Sequence, residues 1–191
     1  MTFTRALDDH LACFRELADI SEPIITAGNM LVAALKKGGK LLICGNGGSA
    51  ADSQHFAAEV VGRYAKERSA WPAIALNTDT SVITAVANDY SFNDIFSRQV
   101  EGIGCAGDLL IGISTSGNSE NVIRAARKAH DKNIEVIALL GEKSGKLSTL
   151  ADLTIHAPSI RTPRIQEIHA FILHFWAEML ENTLCNGKEL S

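Results

Sequence analysis

Four stretches of this sequence carry side chains that could do chemistry. His55 and Glu59 stand four residues apart, which puts both on one face of a helix. Such a pair can hold a metal ion or set a general base beside a polarising group, and it is also a common surface pair. Gly45-Asn46-Gly47-Gly48-Ser49 packs its glycines where backbone N–H groups could approach a ligand, or where a tight turn is needed. It is not G-x-G-x-x-G and has no acidic residue placed for a ribose, which argues against a dinucleotide. Ser114-Thr115-Ser116-Gly117-Asn118-Ser119 offers several hydroxyls around a predicted helix start, more than helix capping alone would need. Without a Lys it is not a nucleotide P-loop, and it suits a monophosphate held by hydroxyls and backbone amides. The fourth stretch is Arg164-Ile165-Gln166-Glu167-Ile168-His169, with His174 further along the same predicted helix. Ile165, Ile168, Ile172, Leu173 and Trp176 bury part of that helix, so polar groups on its margin need partners. Read alone, His169 and His174 are histidines at the core edge.

The elements that must position these groups follow from the hydrophobic pattern. Residues 3–19 and 24–37 repeat apolar side chains every three to four positions (Leu7, Leu11, Phe14, Leu17; Ile25, Met30, Leu31, Leu35) and predict two helices. Then come short apolar runs at 41–44, 73–76, 109–113 and 136–140, and a shorter fifth at 153–155. Helical patterns separate most of them, at 49–61, 81–87, 92–102 and 119–131, and a long helix closes the chain at 162–184. Continuous apolar strands alternating with helices predict a parallel sheet covered on both faces, an α/β doubly wound fold with an N-terminal helical hairpin. One domain is expected over 1–191, with 1–38 helical and 39–191 forming the α/β core and C-terminal helix. In such sheets ligands bind beyond the carboxyl ends of the strands, where the glycine and hydroxyl loops fall.

Composition narrows the function. With 191 residues, 46% hydrophobic and 21% charged, the chain is an ordinary globular protein. A net charge of −4, with no basic run, argues against nucleic acid or an anionic membrane as partner. No apolar run is long enough to span a bilayer, and the N-terminus lacks a signal-peptide core, so a cytoplasmic location is expected. Cys13, Cys44, Cys105 and Cys185 form no CxxC pair and are expected to be buried, reduced thiols.

Together, CGNGGSAADSQHFAAEVVGRY (44–64), VANDYSFNDIFSRQVE (86–101), GDLLIGISTSGNSENVI (107–123) and RIQEIHAFILH (164–174) resemble the sugar isomerase (SIS) domain and, within it, the phosphoheptose isomerases. The resemblance covers about residues 40–184. It implies a five-stranded parallel sheet, a homotetramer, and conversion of sedoheptulose 7-phosphate to D-glycero-D-manno-heptose 7-phosphate, the first step toward the core heptose of lipopolysaccharide. By position, Asn46, Gly47, Gly48, Glu59, Asn88, Asp89 and Gln166 match substrate contacts, and Ser114, Thr115, Ser116 and Ser119 the phosphate cradle. Glu59 matches the catalytic base and His174 its acid–base partner, which leaves His169 structural. Members that bind zinc do so with residues matching His55, Glu59, Gln166 and His174. Gln166 and His174 lie about 12 Å apart along one helix, which strains a shared ion. A site assembled from more than one subunit, with Glu59 and His174 meeting across an interface, is therefore expected.

Two other readings compete. A non-catalytic SIS relative that binds the bacterial replication initiator shares the glycine loop, ALNTD (75–79) and RIQE, but lacks the carboxylate and histidine matching Glu59 and His174. A sugar-phosphate-sensing regulator would need a DNA-binding module, for which this length leaves no room.

Overall fold

The computed structural model describes residues 2–185. The apolar runs form strands β1 (Leu41–Gly45), β2 (Ala73–Ala75), β3 (Leu109–Ser114), β4 (Glu135–Leu140) and β5 (Leu153–His156). All neighbours pair in parallel in the order β2-β1-β3-β4-β5. Seven α-helices connect and flank them: α1 (Phe3–Arg15), α2 (Ser21–Lys36), α3 (Gly48–Val61), α4 (Thr80–Asp89), α5 (Ile95–Ile103), α6 (Glu120–Asp131) and α7 (Thr162–Leu184).

The period of two along each strand divides the core. Leu41, Ile43, Leu109, Ile111 and Ile113 face one side, where Ile24 and Leu31 of α2, Phe56 and Val60 of α3, and Ile168, Ile172 and Trp176 of α7 cover them. Leu42, Cys44 and Leu110 face the other, against Val86 of α4, Phe96 and Val100 of α5, and Val122, Ala125 and Ala129 of α6. The order of the strands reverses between β1 and β3. The helices that follow these neighbours, α3 and α6, leave toward opposite faces, and their loops open a crevice between them.

Most element ends fall within one or two residues of the pattern, and the larger differences have local causes. The first helix ends at Arg15 and tightens into a 3-10 turn over Glu16–Ile20. α2 starts at Ser21, ahead of Pro23, because the N–H groups of a first helical turn have no helical partners and proline costs nothing there. The 92–102 segment splits into a 3-10 turn, Phe92–Asp94, and α5. A further 3-10 turn at Lys146–Thr149 carries no periodic signal. The hairpin itself is only half in the core: α2 is well buried, whereas α1 buries no residue, and Leu7 and Leu11 of its apolar stripe are exposed. α1 is held to α7 by polar contacts, Arg164 Nη1 donating to the Ala6 carbonyl (2.6 Å) and His10 Nδ1 meeting Glu167 Oε2 (2.8 Å). The four cysteines are free, but only Cys44 is buried, and burial pushes its thiol up to about 12; Cys105 is exposed.

His169 is fully buried, its Nε2 donating to the Leu140 carbonyl at 3.0 Å and its Nδ1 without a partner among the described residues. It therefore serves the fold as a neutral ring. Burial first of all lowers its pKa from 6.5 to about 4, partly offset by the Leu140 bond. Between those values the unfolded chain binds the extra proton, so stability falls as pH drops from 6.5 through about 4, by roughly 3 kcal/mol when complete. Asp52, raised from 3.8 to about 6, acts with the opposite sign over its own interval. The two effects largely offset each other between about 4 and 6, so thermal unfolding should depend little on pH there. His169→Gln should leave the Asp52 effect alone, with stability rising as pH falls through that range. An unchanged slope in that variant would refute the assignment.

Candidate active site

The loops after β1 and β3 border the crevice at the strand reversal. In the first, Gly47 has φ +58°, a backbone conformation that L side chains rarely adopt. At Gly48 a Cβ would stand 2.3 Å from Gln166 Nε2, so glycine there is what lets the α7 side chain lie against the loop. Asn46 reaches across to the first turn of α6 through a reciprocal amide pair: its Nδ2 donates to Asn121 Oδ1 (2.9 Å) and its Oδ1 accepts from Asn121 Nδ2 (2.8 Å). Asn77 Nδ2, from ALNTD, donates to the Gly45 carbonyl (2.6 Å), and its buried Oδ1 has no partner among the described residues.

A cleft of about 280 Å³ lies between the loops, lined by Asn46, Gly47, Gly48, Ser114, Thr115, Ser119, Thr162 and Gln166 among others. Ser119 is the N-cap residue of α6, yet its hydroxyl makes no capping bond and instead meets Ser114 Oγ at 2.9 Å. Helix capping therefore does not account for the Ser119 hydroxyl. With Thr115 between them and the N-terminus of α6 beneath, the hydroxyls suit a phosphate. Ser116 differs: its Oγ accepts from the Asn118 N–H (3.2 Å), and it lines an adjoining cleft with Lys143 instead.

The third set of groups comes from the far part of α3 and the middle of α7. His55 Nε2 is 2.8 Å from His174 Nε2 and 3.6 Å from Glu59 Oε1, and donor atoms of all three lie within 4.8 Å of one another. The i, i+4 spacing on α3 produces half of this cluster, and the packing of α7 along α3 produces the rest. Glu59 and His174 meet within one chain. The expected meeting across an interface is thus corrected: the two helices pack side by side on one face of the sheet. A tetrahedral ion with bonds of about 2.0–2.2 Å spaces its donors somewhat over 3 Å apart. The observed separations bracket that spacing, and two imidazoles with a carboxylate are a zinc-type donor set. Gln166, expected as a further ligand, lies in the cleft against Gly48, about 12 Å along α7 from His174.

Asn88 and Asp89 are not brought to the cleft. They end α4, exposed, with Asn88 Nδ2 donating to Asp89 Oδ1 at 2.8 Å. Other groups near the site escaped the sequence reading. Asp52 sits one turn before His55; its Oδ2 is buried and unpartnered among the described residues, and desolvation raises its pKa to about 6 against a smaller lowering by His55. The i, i+3 spacing to His55 was the available signal. Tyr64, with its ring centroid 6.0 Å from that of His174, and Asn121 had none, since only the fold brings them near.

Comparison with known proteins gives a consistent result. A model of the SIS domain matches residues 4–141. Phosphoheptose isomerase of Rhodospirillum rubrum is 49% identical over 174 residues, 91% of this chain and 93% of that protein. The one of Helicobacter hepaticus is 50% identical over 173 residues, 91% and 88% of the two chains. The structure of phosphoheptose isomerase from Neisseria gonorrhoeae superposes with a TM-score of 0.89 at 43% identity, covering 94% of this chain and 96% of that one. The chain belongs to the SIS-domain family and, within it, to the phosphoheptose isomerases.

Proposed function

We propose that this chain converts sedoheptulose 7-phosphate to D-glycero-D-manno-heptose 7-phosphate through an enediol, opening the route to the core heptose of lipopolysaccharide. The observation that most supports this is the placement of the hydroxyl cleft and the His55–Glu59–His174 cluster at two ends of one helix. From Gly48 to His55 along α3 is about 10 Å, a span that suits a long sugar phosphate held by its phosphate at one end and reacting at the other.

Moving the carbonyl from C2 to C1 removes a proton from C1, forms the enediol, and returns a proton to C2. Glu59 is the base for the carbon-bound proton; its Oε1 faces His55, which leaves the second oxygen for the transfer. His174 moves the proton between the oxygens on C1 and C2. Ser114, Thr115 and Ser119 hold the phosphate, with Gly47 and Gly48 admitting the substrate to the loop and Asn46 bracing it. Binding at this remote group orients the reacting carbons. Ser116, Asn88 and Asp89 belong to the proposed substrate contacts by position in the family. Zinc on His55, Glu59 and His174 would supply Lewis-acid polarisation of the substrate oxygens, while Gln166, seated in the cleft against Gly48, is proposed as a substrate contact.

The proposal also takes residues 1–191 as one domain working in the cytoplasm as a homotetramer. No helix among the described residues is long and apolar enough to cross a membrane. Exposed Phe3, Leu7, Leu11 and Phe171 offer an apolar surface for assembly. Nothing favours a non-catalytic role in binding a replication initiator.

The test is turnover. Sedoheptulose 7-phosphate should be isomerised and unphosphorylated sedoheptulose ignored; equal rates on both would overturn the phosphate assignment. Thr115→Val, which removes one hydroxyl from the cradle, should raise KM several-fold, in keeping with roughly 1 kcal/mol for a lost hydrogen bond, and leave kcat nearly unchanged.

A further inference from the structure

We propose that Glu181 and Arg68 are positioning residues of the isomerase site, forming a buried clamp that fixes how α3 and α7 present His55, Glu59 and His174 to one another. The inference deepens the proposed function and rests on it only for its kinetic readout. Glu181 lies two turns beyond His174 on α7 and is 1% exposed. A carboxylate so deeply buried needs partners, and this one gathers them all from the segment that leaves α3. Its Oε1 accepts from the Tyr64 N–H at 2.9 Å, and its Oε2 from Ala65 N–H at 3.0 Å and Lys66 N–H at 2.8 Å. Arg68 Nε adds a charge-assisted bond to Oε1 at 3.2 Å. Burial alone would push the Glu181 carboxyl up; the three N–H groups and Arg68 outweigh it and hold it below its ordinary range.

Arg68 carries the clamp back to the chemistry. Its Nη2 donates to the main-chain carbonyl of Glu59 at 2.7 Å, and its guanidinium lies 3.7 Å over the Trp71 ring. One end of the network therefore grips the backbone of the proposed base. The other fixes Tyr64, whose ring lies beside His174. Neither Glu181 nor Arg68 belongs to the donor cluster, but the spacing between the two helices that supply it runs through them. A structural ion pair with no functional consequence would not need to join the backbone of one site residue to the helix of another.

The experiment uses the full chain. Glu181→Gln keeps the side-chain shape but removes the charge and one acceptor. Three quantities are read: kcat and KM for sedoheptulose 7-phosphate, zinc affinity by competition with a chromophoric chelator, and the ring-proton NMR signals of His55 and His174 in metal-free protein. The expected result is a kcat and a zinc affinity each lowered about tenfold or more, the range for residues that orient ligands from behind. KM should stay within about twofold, because the phosphate loops are untouched, and both histidine signals should shift. Asp108→Asn is the control for mere destabilisation. Asp108 is 4% exposed and bonded to Lys40 N–H at 2.9 Å, at the amino end of the central strand β3, the end of the sheet opposite the loops of the cleft. It should lose stability while keeping kcat, zinc affinity and the histidine signals.

Should Glu181→Gln fail to fold, Arg68→Lys answers the same question, since it keeps a cation near Glu181 but loses the bond to the Glu59 carbonyl. A folded Glu181→Gln or Arg68→Lys chain with unaltered kcat, zinc affinity and histidine signals would overturn the clamp. So would an Asp108→Asn chain that loses kcat in the same proportion. If the unsubstituted chain shows no turnover of the sugar phosphate, the proposed function falls, while zinc affinity and the NMR signals still decide the clamp.

Discussion

Glu59→Gln should lower kcat by at least about a hundredfold, the lower range for losing a general base, with KM for the sugar phosphate nearly unchanged. The amide keeps the size and hydrogen-bonding reach of the carboxylate but cannot accept the C1 proton. KM should hold because the proposed phosphate site, the cleft between the glycine and hydroxyl loops, lies some turns of α3 away. His174→Asn should have a comparable effect on kcat by removing the ring that carries the oxygen-bound proton. Mixed oligomers of the two inactive chains should recover nothing from this pair. Glu59 and His174 belong to the same cluster in one chain, so each site in such a mixture keeps one defect. Recovery of activity on mixing would mean that the working pair is formed by different subunits.

His55→Ala should abolish stoichiometric zinc and lower kcat about tenfold or more, the loss typical when a zinc site is weakened. His55 is the donor nearest both others, 2.8 Å from His174 and 3.6 Å from Glu59, so its removal leaves two donors where structural and catalytic zinc use at least three protein ligands. Elemental analysis of the purified chain should find close to one zinc per site, and a strong chelator should remove the activity that added zinc restores. Affinity should also fall as pH drops, since the imidazoles must be neutral to bind the ion. Full activity in metal-free protein would remove zinc from the account and leave His55 as a neighbour of the catalytic pair.

Much of the fold was legible because buried parallel strands write themselves as apolar runs, as β1, β3 and β4 do here, with weaker versions at the two edge strands β2 and β5. The hydroxyl loop was legible for a related reason: local sequence fixes both the helix start and the groups around it. What the sequence could not express was distance across the chain. The spacing of His55 and Glu59 is a local signal, but the arrival of His174 depends on where α7 packs, and it was wrongly expected to come from another subunit. Ser116 shows the limit within a loop. It sits among hydroxyls that line the cleft, yet the turn takes its Oγ for the Asn118 N–H. The exposed stripe of α1 shows another, since periodicity identifies an apolar face without saying what covers it.

The most direct measurement of the central claim is the isomerisation of sedoheptulose 7-phosphate in deuterated water, with the aldose product examined by NMR. A proton carried from C1 to C2 by a carboxylate with some access to solvent exchanges in part while the enediol lasts, so a fraction of the product should carry deuterium at C2. Glu59→Gln should lower the rate of that incorporation along with turnover. Turnover and incorporation both undiminished in the Glu59→Gln chain would contradict proton transfer by Glu59.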